Sequence, residues 1–185
     1  MLRPIMLLTV LHIAVSFGIS AQTLNLEITK GTDLSFTFNT IRQYTSGVVL
    51  GNATEFTIDT TVDWDLYVGT ETFTVGQWDL IETYSSAGTN AIPVSILEIR
   101  ADSPGRTSQQ SAFFPLQDIA TPTYLIGSNA NDISIGTGVG TNDPGDPIAD
   151  PFTHKFRVSY KLTPGINYAP GIYSLTVVFT VAEDL

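Results

Sequence analysis

The alternation of apolar and polar residues between positions 55 and 68 constrains the fold more than any other feature of the sequence. Every even-numbered position there except Thr60 is apolar and most odd-numbered positions are polar; the apolar residues are Phe56, Ile58, Val62, Trp64, Leu66 and Val68. Successive side chains of a β-strand point to opposite faces, so a period of two gives one apolar face. The stretch is therefore predicted to be a strand with one buried and one solvated face.

Similar alternation recurs along the chain, in segments 24–28, 34–38, 156–162 and 173–181. Gly, Pro, Asn and Asp residues separate these segments, and no segment shows a sustained 3.6-residue apolar period. The pattern predicts an all-β domain, a two-sheet antiparallel sandwich of the Greek-key or jelly-roll type with roughly eight to ten strands. The first two segments are predicted to form a hairpin.

The first residues have the pattern of an export signal. Arg3 supplies a positive charge, residues 5–19 are mostly apolar, and Ser20-Ala21-Gln22 offers small residues for cleavage after Ala21. The apolar run is too short for a transmembrane helix, and no later run approaches the required length. We expect residues 1–21 to be a signal peptide and residues 22–185 to be a single domain of a bacterial protein that is secreted or held at the cell envelope.

Composition narrows the possible partners. The formal net charge is −10, and loss of Arg3 with the leader would make the remainder one unit more negative. Such a charge disfavours nucleic acid and anionic membrane surfaces as partners. The chain has no cysteine, so neither disulfides nor thiol chemistry contribute. Cell-surface proteins, glycans and copies of the chain itself remain as expected partners.

The sequence predicts no catalytic residues. Asp59, Asp63 and Asp65 share the polar face of the first predicted strand, which indicates a solvated acidic stripe and not the carboxyl pair of a glycosidase. His154 is the only histidine beyond the predicted leader, and its position beside Lys155 at the start of a strand predicts a surface histidine. No Gly-x-Ser-x-Gly elbow is present. The protein is therefore expected not to be an enzyme.

A long loop predicted over residues 127–151 contains the best candidate for a metal site. Its candidate ligands for Ca²⁺ are Asn142, Asp143, Asp146 and Asp150, because hard cations prefer carboxylate and carbonyl oxygens. The same residues are typical of ordinary turns, so a solvated turn loop is the alternative. No other cofactor is predicted.

Two aromatic residues are candidates for a glycan-binding platform. Tyr67 lies on the polar face of its predicted strand, and Trp78 lies in a polar stretch. Core packing is the alternative for both, because buried aromatic side chains dominate the cores of small domains.

A basic strand face is predicted near the C-terminus, where Lys155, Arg157 and Lys161 share one side of the segment 155–162. If this strand neighbours the acidic one, cross-strand ion pairs would help to set the order of strands. The alternative is association of the acidic face of one copy with the basic face of another.

Two stretches resemble bacterial surface β-sandwiches of the WxL type. Trp64-Asp65-Leu66 matches a strand that carries Trp-x-Leu, and the segment from Pro170-Gly171 to Thr180-Val181 is similar to that family's closing strand. Phe179 stands where the family's second Trp would be expected, and the chain ends in Ala182-Glu183-Asp184-Leu185 in place of Ala-Pro. The Gly-x-Tyr start of the closing strand is also similar to spore-coat-U-like and pilin-like proteins. The resemblance implies a Greek-key sandwich at the cell envelope that acts by binding or assembly.

Together these observations predict a non-enzymatic secreted or cell-surface protein with a structural or adhesive role, which acts through binding or self-assembly. A glycan- or cell-wall-binding module is one alternative. A pilin-type subunit that polymerises by strand addition is another, with the segment 23–29 completing the sheet of a neighbouring copy.

Overall fold

A computed structural model describes residues 21–103, 112–126, 133–134, 138–139 and 143–184. The predicted signal peptide lies outside these residues except for Ala21. The strands are β1 (Leu24–Lys30), β2 (Val48–Thr60), β3 (Trp64–Glu71), β4 (Asp79–Thr83), β5 (Leu97–Asp102), β6 (Phe114–Pro115), β7 (Thr123–Ile126), β8 (Ile133–Ser134), β9 (Gly138–Val139), β10 (Lys155–Leu162), β11 (Gly171–Ser174) and β12 (Thr176–Glu183). Two short helices, α1 (Ile41–Ser46) and α2 (Pro151–His154), and a 3-10 turn at Val94–Ile96 complete the described elements. No helix in these ranges has the length and apolar character needed to cross a membrane.

The strands form two main antiparallel sheets. One has five strands in the order β1-β2-β10-β5-β6, and the other has three in the order β12-β3-β7. β4 pairs with β11 in a separate two-stranded sheet, and β8 pairs with β9 within the predicted long loop. The all-β antiparallel prediction is confirmed.

The core lies between the two main sheets. Phe56 of β2 packs against Phe156 of β10 and against Phe179 of β12, with ring centroids 5.2 Å apart in both pairs. Because Phe179 belongs to the three-stranded sheet, these contacts join the two layers. Other large side chains that are almost fully buried are Trp64, Ile58, Leu66, Ile99, Leu116, Ile126, Val68 and Val158.

The stretch predicted as one strand is two strands that lie in different sheets. β2 ends at Thr60 and β3 begins at Trp64, so residues 61–63 cross from one sheet to the other. Thr60 fixes the crossover, because its hydroxyl donates to the Val62 carbonyl at 2.7 Å and accepts from the Val62 N–H at 3.1 Å. Thr60 and Trp64 are both buried, so the even-numbered positions point inward on both strands as predicted.

The predicted N-terminal hairpin is wrong. β1 pairs with β2, in a register that sets Leu26 opposite Ile58 and Ile28 opposite Phe56. Residues 34–38 form no strand; Phe36 and Phe38 pack against the edge of the core instead. The 13-residue β2 offers apolar positions that match those of β1 along its length. The short segment that follows β1 does not offer such a partner.

β10 pairs with β2, so the basic and acidic strands are neighbours; Arg157 and Lys161 lie opposite acidic residues of adjacent strands, whereas Lys155 lies opposite Thr57. Arg157 lies opposite Glu55 of β2 and opposite Asp102 of β5. Lys161 Nζ lies 2.6 Å from Glu98 Oε2 on β5. The Lys161–Glu98 ion pair is partly exposed, so it adds about 1 kcal/mol at most and acts mainly by favouring this strand order.

We expect the protein to lose stability in alkaline solution through Tyr160. Burial raises the pKa of the Tyr160 hydroxyl to about 12, although its contact with Thr54 Oγ1 at 2.9 Å opposes the shift. In the unfolded chain tyrosine ionises near pH 10. Between about pH 10 and pH 12 the unfolded state therefore loses a proton that the folded state keeps, and the free energy of unfolding falls by up to about 2–3 kcal/mol.

Urea unfolding at about pH 9 and about pH 11 measures this loss, with Tyr160→Phe as the comparison, because phenylalanine has no hydroxyl to ionise. The variant should lose less stability than the wild type over that interval. An equal loss in both proteins would show that Tyr160 is not the group responsible.

Candidate functional site

The acidic loop is fastened to one end of the sandwich in its described part, residues 143–150. Trp64 Nε1 donates to the Asp143 carbonyl at 3.1 Å. Gly145 and Thr60 exchange two backbone hydrogen bonds, of 2.9 and 3.0 Å. The loop is therefore held across the crossover between β2 and β3, where it covers the end of the core.

Asp146 uses its carboxylate to shape this loop. Its Oδ1 accepts backbone N–H groups of Ile148 at 2.7 Å and Ala149 at 2.9 Å. The hydrogen bonds from Ala149 and Ile148 lower the pKa of Asp146, because they stabilise the charged carboxylate. The arrangement is that of a turn whose own backbone satisfies the acidic side chain.

The calcium site predicted from Asn142, Asp143, Asp146 and Asp150 stays a prediction. Asn142 lies outside the described residues. Within the described ranges, no group of three or more His, Asp or Glu residues is arranged to hold a metal ion. The Asp150 carbonyl accepts the N–H groups of Thr153 and His154 at 3.1 and 3.0 Å, so its backbone begins α2.

The prediction that His154 is a surface residue is wrong. His154 is 2% exposed, and its ring packs against Trp64 with centroids 5.8 Å apart. Nδ1 lies 2.8 Å from Thr153 Oγ1, and Nε2 has no hydrogen-bond partner among the residues that the structure describes. A Cβ atom at Gly145 would lie 3.0 Å from Nε2, so the glycine lets the loop approach the imidazole closely.

The predicted acidic stripe is only partly solvated. Asp59 and Asp63 are exposed, as predicted. Asp65 is buried at 8% exposure, so the prediction is wrong for this residue. It lies on β3, the central strand of its sheet, where β12 and β7 flank it on both sides.

Tyr67 lies on the outer face of β3 and is half-buried. Its ring packs against that of Tyr124, its cross-strand neighbour on β7, with centroids 5.8 Å apart. Tyr67 does not line the cleft found beside Trp78, so the two predicted platform residues do not share it.

A cleft of about 340 Å³ lies beside Trp78, lined by Phe73, Thr74, Gln77, Trp78, Asp79, Leu80, Asn90 and Ala91. Trp78 is half-buried and packs partly against the core. Its Nε1 is buried without a hydrogen-bond partner among the described residues. Phe73, in contrast, is 96% exposed. The cleft thus combines two aromatic side chains with amide and hydroxyl groups.

The loop that carries Phe73 is held in place by hydrogen bonds. Asp79 Oδ1 and Oδ2 accept the Phe73 N–H at 2.9 and 3.0 Å, and Oδ1 also accepts the Thr74 N–H at 3.4 Å. The N–H of Trp78 donates to the Ile92 carbonyl at 2.8 Å. The backbone that carries the exposed phenyl ring is therefore held in place.

The β4–β11 sheet continues the three-stranded sheet beyond the core. Pairing of β3 with β12 reaches Glu71 opposite Thr176, and pairing resumes at Asp79 opposite Ser174, so residues 72–78 form a large bulge. This sheet and the residues directly beside β4 carry six of the exposed large apolar side chains, which we call the ribbon surface: Leu80, Ile81 and Ile172 on the strands, Phe73 and Val75 in the bulge, and Tyr84 after β4. Clustered exposed apolar side chains are typical of contact surfaces.

Charge distinguishes the cleft and the ribbon from the basic face of β10. Asp79 is the only ionisable residue among the described residues that line the cleft. The segments 71–84 and 171–176 contain no Lys or Arg. The arrangement therefore suits uncharged or cationic partners better than anionic ones. No model of a known protein family and no curated protein matches this chain.

Proposed function

We propose that this protein is a non-enzymatic, secreted or cell-surface structural protein that acts through self-assembly or adhesive binding, with the ribbon surface as its contact region. The observation that carries the proposal is the presence of six exposed apolar side chains on the β4–β11 sheet and the residues directly beside β4. Burying apolar surface stabilises a complex by about 25 cal/mol per Å². The proposal agrees with what the resemblance to envelope β-sandwiches implies.

The backbone of the ribbon supports assembly between copies. In the described part of the chain, β4 and β11 pair only with each other, so each has a free edge. Free strand edges pair readily with strands of other molecules. Asp79 and Glu82 lie on β4 and would repel those of a second ribbon, so salt should strengthen association by screening them.

We expect residues 22–185 to form oligomers whose mass increases with protein and salt concentration. The double variant Ile81→Ser with Ile172→Ser should weaken association at least tenfold, about 1.4 kcal/mol, because both side chains are exposed and lie on paired strands. Sedimentation equilibrium and electron microscopy measure the effect. Ile41→Ser is the matched control, because Ile41 is exposed on α1 and outside the ribbon surface.

A wild-type protein that stays monomeric at high protein and salt concentration would contradict self-assembly. If Ile41→Ser weakens association as much as the ribbon variant does, the ribbon surface is not the contact region. Binding to a purified envelope protein that the ribbon variant loses would instead assign the same surface to an adhesive role.

Strand addition remains the alternative mode of assembly. β1 pairs with β2 of its own chain, from Leu24 opposite Thr60 to Lys30 opposite Glu55, so it would have to leave this sheet to enter a neighbour. Deleting residues 22–29 distinguishes the two modes. Multimers that survive the ribbon variant but disappear on this deletion would replace the ribbon mechanism with strand addition.

A further inference from the structure

We infer that the cleft beside Trp78 binds a neutral saccharide. The inference rests on the proposed function, because the cleft shares Phe73 and Leu80 with the ribbon surface. It assigns a class of ligand to that contact region. It does not depend on self-assembly, since the other ribbon residues lie outside the lining of the cleft.

The chemistry of the cleft suits a sugar ring. A saccharide has apolar faces made of C–H groups and a rim of hydroxyl groups, so it needs an aromatic surface together with nearby donors and acceptors. Trp78 and Phe73 supply the aromatic surface, and Gln77, Asn90 and Thr74 supply polar groups. The volume of about 340 Å³ lies at the lower end of the usual range for small-ligand sites.

The polar part of the cleft is oriented before any ligand arrives. The Tyr173 hydroxyl donates to the Ala169 carbonyl at 2.8 Å and lies 3.2 Å from Asn90 Oδ1, so the Asn90 amide is positioned beside this hydroxyl. Asn90 is exposed and lines the cleft, so its amide can offer a hydrogen bond to a ligand hydroxyl. Asp79 fixes the backbone beneath Phe73 in the same way. Binding to an organised site loses less conformational entropy.

Charge and hydrogen bonding narrow the ligand class. Asp79 is the single ionisable residue among the described cleft residues, and the chain carries a formal charge of −10, so anionic sugars would be repelled. A purely apolar side chain of a protein partner would offer no hydrogen bond to the Asn90, Gln77 and Thr74 side chains that line the cleft. A neutral, hydroxyl-rich ligand satisfies both conditions.

Fluorescence titration tests the inference directly. The chain has two tryptophans, so Trp64→Phe leaves Trp78 as the single indole reporter. Cellohexaose, chitohexaose and maltohexaose are the neutral probes, and hexagalacturonate is the anionic one. We expect saturable binding of at least one neutral probe, confirmed by calorimetry with the wild type, and weaker binding of hexagalacturonate. No binding of any neutral probe at millimolar concentration, or tighter binding of the anionic probe, would overturn the inference.

Point variants locate the site. Phe73→Ala and Asn90→Ala should each weaken binding at least tenfold, and both residues are exposed, so the fold should tolerate the changes. Tyr84→Ala and Tyr67→Ala are aromatic controls outside the cleft and should bind like the wild type. Unchanged affinity in Phe73→Ala and Asn90→Ala, or equal losses in the controls, would contradict the assignment.

The double variant Ile81→Ser with Ile172→Ser separates this inference from the proposed function. It keeps the whole lining of the cleft, so it should bind the saccharide normally while it loses association. Loss of association in this variant, with no saccharide binding by any protein, would reject the saccharide site alone. Saccharide binding by a protein that never associates would instead reject self-assembly and keep the site.

Discussion

Replacing Trp64 with alanine should lower the free energy of unfolding by about 3–5 kcal/mol, the range found when a buried aromatic side chain is removed from a core. Trp64 is 1% exposed, and its ring packs against Phe156 with centroids 6.1 Å apart and against His154 at 5.8 Å. Its indole N–H also holds the Asp143 carbonyl. The substitution therefore opens a cavity and releases the acidic loop in one step.

Trp64→Phe separates the two contributions. It keeps an aromatic ring in the core but removes the hydrogen bond to Asp143, so the loss should be about 1–2 kcal/mol. Urea unfolding followed by circular dichroism measures both variants. Hydrogen exchange of the Gly145 amide, which donates to Thr60, should accelerate in both if the loop depends on the indole nitrogen.

Two outcomes would contradict this account. A Trp64→Ala protein within about 1 kcal/mol of the wild type would show that the ring is not a principal part of the core. Unchanged exchange at Gly145 in both variants would show that the loop is held by its backbone pairing with Thr60 alone. These experiments therefore test whether Trp64, the tryptophan of the Trp-x-Leu stretch, stabilises the fold.

The inward face of the sandwich was predictable from the sequence, whereas the assignment of strands to sheets was not. Phe56, Ile58, Trp64 and Leu66 share one parity and all point into the core. The crossover at residues 61–63 keeps the even-numbered positions pointing inward, so the alternation alone predicts a single continuous strand. The two strands are separated by the hydrogen bonds between the Thr60 hydroxyl and the backbone of Val62, which produce no periodic pattern in the sequence.

The candidate site was predictable only in part. Trp78 was singled out by its polar surroundings. The apolar positions change from even to odd numbers after Gly69, which is typical of a turn or bulge at Gly69-Thr70, but β3 continues through both residues and the bulge lies at residues 72–78. Phe73 belongs to that bulge, so the phase change was the available signal for it. The position of Asp79 beneath Phe73 could not be predicted, because it depends on how the bulge folds back.

Burial of His154 and Asp65 could not be predicted either. The sequence segment around each of these residues predicts that its side chain is exposed to solvent. His154 is covered because the loop around Gly145 closes over it, and Asp65 because its strand is central in the sheet. Both effects come from neighbours distant in the sequence, and a single alternating segment carries no information about them.

Replacing Gly31 with alanine should destabilise the protein by about 2–5 kcal/mol, for two separable reasons. Gly31 has a φ of +75°, which costs a residue with a side chain about 1–2 kcal/mol. A Cβ atom there would also overlap the Ala53 carbonyl oxygen and lie 2.8 Å from its carbon, and relieving such a contact typically costs about 1–3 kcal/mol.

Two other glycines isolate these contributions in urea unfolding experiments. Gly165 has a φ of +71° and no atom within 4 Å of the added Cβ, so Gly165→Ala should show the backbone cost alone, about 1–2 kcal/mol. Gly51 has open space and no positive φ, so Gly51→Ala should be neutral or stabilising by up to about 1 kcal/mol. Gly31→Ala should then be the least stable of the three. If it equals Gly165→Ala, the chain does not pack closely against β2 where it leaves β1.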